Sequence, residues 1–191
     1  MAKKFYLGEE FKDLEFLPMD LGGLEYLEDM RIAQEFAKSN RLIIAKEIME
    51  NFFGVSRIED VEAIRSVHNY IGEDKIIRKG AISAKKGEKV VIPLNMRDGV
   101  ILATGKGSVK WNQSCPHGAG RIMGRNEAKK RLSLEEFQKT MSNVWSSCIS
   151  AKTLDEAPMA YKDKDVILSA IGECVEVTGI IKPVYNFKAE E

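Results

Sequence analysis

Ser114-Cys115-Pro116-His117-Gly118-Ala119-Gly120-Arg121 is the stretch on which the reading of this chain turns. A run of small residues directly after a histidine lets backbone come close to a ligand, because glycine has no Cβ and tolerates positive φ. Backbone N–H groups exposed in this way can cradle a phosphate. A neutral imidazole beside them can attack phosphorus. Arg121 adds a planar, permanently charged fork for phosphate oxygens. The string therefore reads as a histidine nucleophile, or a histidine ligand, at a phosphate site. A loop histidine before a tight turn is the alternative the string leaves open.

Downstream, a helix is expected from about Gly120 to Arg131. A spacing of four would place Arg121, Arg125 and Lys129 on one of its faces. Its N-terminus, with unpaired N–H groups and the positive end of the dipole, would point at the His-Gly-Ala-Gly turn. Such a stripe can track a nucleic-acid backbone, or it can be an ordinary solvated face. Upstream, the only other histidine lies in Ser66-Val67-His68-Asn69-Tyr70. A metal site built on His68 would need two or three further ligands, and His117 is the sole remaining histidine.

Composition sets mild bounds. Of the 191 residues, 44% are hydrophobic and 30% charged, ordinary values for a globular chain. Net charge is zero, so no overall field draws nucleic acid or membrane, and any nucleic-acid binding has to come from a local basic patch. Cys115, Cys148 and Cys174 form no CxxC pair, which argues against a disulfide framework or a structural zinc. This pattern fits a reducing, cytoplasmic setting. No stretch approaches the ~20 apolar residues that cross a bilayer, so no membrane association is expected.

Periodicity gives an α+β reading. Residues 1–22 are irregular and rich in aromatics (Phe5, Tyr6, Phe11, Phe16), which suggests a docking segment; 23–191 reads as the main body. Leu24, Leu27, Met30, Ala33, Ala37, Ile44 and Ile48 recur at helical spacing, predicting a long helix to Phe53 with Gly54 as its stop. A short helix is expected over Asp60–Val67. Strands are expected at 76–77, 90–93 and 100–103, separated by turns at 85–88 and 105–108. Ser133 with Glu136 forms a capping box for a helix from Leu134 to about Asn143. A helix over 163–170 and strands over 175–181 and 184–187 complete the chain.

Several motifs then fall in one order: His68-Asn69-Tyr70, Arg78-Lys79-Gly80-Ala81, Ile92-Pro93 with Met96, His117-Gly118-Ala119-Gly120-Arg121, and Asp155-Glu156-Ala157-Pro158 leading into Ala160-Tyr161-Lys162-Asp163. Lys188 follows near the end. This set resembles the carboxyl-terminal half of the RtcB family, the GTP-dependent RNA-splicing ligases. The resemblance implies the corresponding half of that fold, with a long central helix followed by a mixed, β-rich region with short helices. It implies joining of an RNA 3′-phosphate (or 2′,3′-cyclic phosphate) to a 5′-hydroxyl through a guanylyl-histidine, with GTP and manganese (Mn2+) as cofactors. Carried over residue by residue, His117 would be the nucleophile and His68 a metal ligand, with Asn69 near the nucleotide. Pro93, Leu94, Asn95, Met96, Val100, Gly118, Ala119, Gly120 and Lys188 would line the GMP site. Arg121 and Arg125 would hold RNA phosphates.

The sequence also departs from the family. Members are about twice as long, and their amino-terminal half supplies most metal ligands. Leu94-Asn95 replaces a Gly-Ser pair, Val100 replaces a serine, and Gly124 stands where a serine is expected. Two partners are implied: RNA, and either an amino-terminal half or a second copy. A catalytically silent nucleotide- or RNA-binding fragment is the competing expectation.

Overall fold

The computed structural model describes residues 16–188, so most of the aromatic-rich opening segment lies outside the described residues. The chain divides into two compact units, residues 1–63 and 64–191. The α+β class is observed: helices and several small sheets occupy the same chain.

The first unit is dominated by α1, Gly23–Phe53. It ends where expected. Gly54 takes φ 65° and its N–H donates to the Met49 carbonyl, closing the last turn in the left-handed cap that glycine favours. No apolar face separates from a polar one. Leu24, Ile32, Phe36, Ile43, Ile44 and Phe52 are all exposed, and at 3.6 residues per turn they spread around the whole circumference. The expected helix over 60–67 is replaced by a short 3-10 turn, Ile58–Asp60, and then irregular backbone. Val61, Ile64 and Val67 are β-branched residues that gain little from helix, and Val61 is already extended at φ −101°, ψ 126°.

All the strands among the described residues lie in the second unit. β1 (Tyr70–Ile71) pairs with β2 (Ile77–Arg78), and β3 (Ala81–Ser83) with β6 (Ser114–Pro116), both antiparallel. β4 (Lys89–Pro93), β5 (Val100–Gly105) and β8 (Val175–Ile181) form a three-stranded antiparallel sheet with β5 in the centre. β7 (Trp145–Ser146) runs parallel to β9 (Tyr185–Asn186). The alternation Val90, Ile92 and Ile101, Ala103 turns one sheet face inward, where Ile167 and Ile171 of α4 (Lys164–Ile171) cover it. A second core gathers Met96, Phe137, Met141, Val144, Leu154 and Ala157. Leu94 belongs to the first core and Met96 to the second, so the β4–β5 turn lies where the two meet. Gly99 is indispensable in that turn: its φ is 84°, and a Cβ there would lie 2.0 Å from the Ile181 carbonyl oxygen.

Two helices deviate from expectation. α2 spans only Arg125–Arg131, with Gly124 as N-cap, rather than starting near Gly120. Residues 120–122 are instead tied to the segment before α4: Lys162 N–H donates to the Gly120 carbonyl (3.0 Å) and Ile122 N–H to Ala160 (2.9 Å). Tertiary pairing wins there over helix extension. Arg121 is therefore off the helix, and the expected three-residue stripe reduces to Arg125 and Lys129. α3 covers Leu134–Thr140, and Ser133 Oγ accepts from Glu136 N–H at 3.1 Å. Ser133→Ala is expected to cost about 1 kcal/mol, read as a lower urea midpoint at unchanged slope.

Candidate active site

His117 follows directly on β6, and its loop is fastened to the end of β4. Ala119 N–H donates to the Pro93 carbonyl at 3.0 Å. Gly118 sits beside the same oxygen, which a Cβ would meet at 3.0 Å, so a side chain here would press the loop away from β4. A cavity of about 480 Å³ opens over this junction, a size within the range of small-molecule sites. Pro93, Leu94, Asn95, Met96 and Val100 reach its wall from the β4–β5 hairpin. His117, Gly118, Ala119, Gly120, Arg121 and Arg125 reach it from the loop and α2, and Lys188 from the end of the described chain.

The hairpin contributes mainly shape. Leu94 and Met96 are core residues. The Asn95 side chain is spent on its own turn, accepting from Arg97 and Asp98 N–H groups and donating to Asp98 Oδ2.

His68 and Asn69 are not in the cavity wall, but both stand behind His117. The two imidazole rings lie 4.7 Å apart, tilted by 43°. Asn69 occupies the left-handed region (φ 61°), and its Oδ1 accepts from Gly80 N–H at 3.3 Å. Gly80 in turn abuts the His117 ring, which a Cβ there would approach to 3.8 Å. The His-Asn-Tyr and Arg-Lys-Gly-Ala motifs thus converge on the nucleophile candidate. Nδ1 of His117 is buried with no hydrogen-bond partner, a state that costs free energy in a packed protein. Cys115, two residues away, is buried, and burial pushes its thiol up to about 12. It remains a protonated thiol, a poor nucleophile and ligand.

The cationic side of the cavity is organised by two carboxylates that sequence reasoning passed over. Arg125 Nη1 contacts Asp155 Oδ2 at 2.6 Å and Glu156 Oε1 at 2.9 Å, and Lys129 Nζ lies 3.5 Å from Asp155. Lys188 Nζ is 3.1 Å from Glu156 Oε2, which also accepts from the Tyr161 hydroxyl at 2.8 Å. Arg121 donates to the Asp155 carbonyl and, at 3.1 Å, to the Tyr161 hydroxyl, and its guanidinium stacks over the Tyr161 ring at 4.9 Å. Burial alone would raise the Glu156 carboxyl, but Tyr161, Lys188 and Arg125 outweigh it and hold it below the usual carboxylate range. Burial, aided by Glu156, pushes Tyr161 up to about 12. Glu156 and Tyr161 line the cavity. Their signal was present in the Asp-Glu-Ala-Pro and Ala-Tyr-Lys-Asp strings, but only folding shows that they share one network.

Gly118 and Gly120 at the wall and three cations at one end suit a nucleoside phosphate. A metal set is different. Among the described residues, no group of three or more His, Cys, Asp or Glu side chains is placed to hold an ion. His68 would be one ligand of such a set and needs others.

A sequence profile described as "tRNA-splicing ligase RtcB" matches residues 3–189. The chain is 34% identical over 179 residues to RNA-splicing ligase RtcB1 of Escherichia coli strain ATCC 25922, covering 86% of this chain and 43% of that protein. It is 32% identical over 179 residues to RNA-splicing ligase RtcB of Escherichia coli strain K12, with the same coverage of both. It is 28% identical over 222 residues to tRNA-splicing ligase RtcB of Nanoarchaeum equitans, covering 97% of this chain and 46% of that one. The chain thus spans less than half the length of these curated relatives. No helix among the described residues is long and apolar enough to cross a membrane.

Proposed function

Because this chain belongs to the RtcB family, we propose that it is the carboxyl-terminal, nucleotide-carrying half of an RNA ligase. In this reading it joins RNA 3′-phosphate ends to 5′-hydroxyl ends with GTP as the activating nucleotide. The observation that carries the reading is His117, set in a cavity wall between a glycine-bearing loop and three cationic side chains, with a second imidazole packed behind it.

The chemistry follows from this arrangement. Nδ1 is the buried nitrogen, so Nε2 is the one assigned to attack. It forms a bond to the α-phosphorus of GTP as the bond to the pyrophosphate oxygen breaks, and pyrophosphate leaves. The RNA 3′-phosphate oxygen then takes the GMP from the histidine, and the 5′-hydroxyl displaces it. The backbone N–H groups of Gly118 and Gly120 and the cations at the far end offset the charge that develops on the phosphates, while Ala119 N–H stays with the Pro93 carbonyl and holds the loop. Lys188 is assigned to the guanine, and Arg121 and Arg125 to RNA phosphates. These cations are already engaged by Asp155 and Glu156, so anion binding has to exchange with carboxylates. That exchange lowers the net affinity for any anion. Manganese, which the family resemblance implies, would take His68 together with ligands from outside the described residues.

The test is incubation of the chain with α-labelled GTP and manganese, alone and with an RtcB-type amino-terminal half. Acid-labile label on the protein is the expected result. Its absence in both mixtures would replace this reading with a silent nucleotide- or RNA-binding module, which the lack of a metal-ligand group among the described residues favours.

A further inference from the structure

The β7–β9 ribbon has two faces with different surroundings. Ser146 pairs with Asn186 and Trp145 with Tyr185, and successive residues of a strand point to opposite sides. Asn186 lines the nucleotide cavity and donates weakly to the Met96 carbonyl. On the other face, the Trp145 and Tyr185 rings lie 5.0 Å apart, tilted by 30°. They are 69% and 47% exposed. Strand pairing fixes both backbones, and the Tyr185 hydroxyl lies 3.3 Å from Ser147 Oγ. Two large rings are thus held together in place, each with much of its surface open to solvent.

Beside them runs a groove of about 580 Å³. Its floor is apolar, with Met141, Val144 and Ile149, and the amides of Gln138 and Asn143 stand along it. Pro183 lines both this groove and the nucleotide cavity, so the two share a wall. Exposed Lys182 immediately precedes it.

We propose that Trp145 and Tyr185 form a stacking subsite for an unpaired nucleobase of the RNA whose end reaches the neighbouring cavity. Planar rings of fixed orientation stack on any base, and adjacent amides can meet its edge. Continuity with the cavity through Pro183 selects a nucleic-acid strand over an apolar peptide as occupant. The proposal rests on the RNA-ligase reading above and adds a place on this chain where RNA is held apart from His117.

The test uses the full chain with a single-stranded RNA ending in a 3′-phosphate, and a matched RNA carrying abasic sites near that end. Trp111→Phe serves as the background, so that Trp145 alone reports. RNA should quench Trp145 fluorescence. Trp145→Ala should weaken RNA binding roughly 10-fold or more, Trp145→Phe should retain most of it, and GTP binding should be unchanged in both. The alanine effect should vanish with the abasic RNA, which a merely structural role for Trp145 would not produce. Equal affinity of the wild type and Trp145→Ala for intact RNA overturns the subsite alone. A wild-type chain that binds GTP but no RNA overturns both the subsite and the RNA reading. Quenching that follows protein concentration rather than RNA assigns the face to a second copy and also overturns the subsite.

Discussion

If His117 is the nucleophile proposed above, His117→Ala is expected to abolish covalent GMP on the protein, and with it any ligation this chain supports. The loss is expected to be roughly 10⁴-fold or more, the scale on which an essential nucleophile fails. The residue is part of a cavity wall rather than of either core, so its truncation should leave the fold and the thermal midpoint nearly unchanged. GTP binding should persist, because the cradle of Gly118 to Gly120 and the cations at the other end remain. Labelled-GTP retention, set beside equilibrium GTP binding, separates the two effects. Label surviving in the alanine variant would remove His117 from the chemistry and return the loop to a structural role.

Asp74→Asn should be the most damaging of the single changes to stability. Arg78 is 2% exposed. Its guanidinium is held by Asp74 through Nη1 at 3.1 Å and Nη2 at 2.8 Å, while Nε donates to Ser114 Oγ at 3.0 Å. Removing the carboxylate charge leaves a buried cation without its counter-ion, a loss of about 3–5 kcal/mol. Part of that is offset because the Asp74 side chain is 22% exposed, so water can reach the site. Arg78 links β2 to β6, the strand that leads into His117, so partial unfolding here should loosen the His117 loop first.

The same pair sets an acid limb. The hydrogen bond from Arg78 is the main force holding the Asp74 carboxyl far below its ordinary range, and burial acts against it. A depressed folded-state pKa means that the unfolded chain binds the proton more tightly. The pair's contribution is therefore complete above about pH 4, the unfolded value for Asp, and falls as the pH drops further. Urea midpoints measured from pH 6 to pH 3 should slope less in Asp74→Asn than in the wild type. Parallel slopes would show that other carboxylates dominate acid unfolding.

Much of this protein is legible from local strings. The capped long helix, the strands at 90–93 and 100–103 and the Ser133 cap follow from periodicity and side-chain chemistry acting over a few residues. The glycine-bearing loop after His117 is equally local. The misreadings share a cause. Residues 120–124 have a helical pattern, yet their backbone groups pair with Ala160 and Lys162, some forty positions away. Residues 60–67 look periodic but carry β-branched side chains and hold no helix.

Sequence alone determined the family, the α+β class and the candidate nucleophile, because each depends on residue types in a fixed order. Only the tertiary structure decided which side chains share a site. It set His68 against His117, brought Asp155 and Glu156 onto the cations, placed Tyr161 under Arg121, and turned Trp145 and Tyr185 outward together. The physical reason is that ion pairs, ring contacts and burial depend on distances of a few ångströms between residues far apart in the chain. Those distances are fixed by sheet register and by how the two cores pack, neither of which a local string encodes.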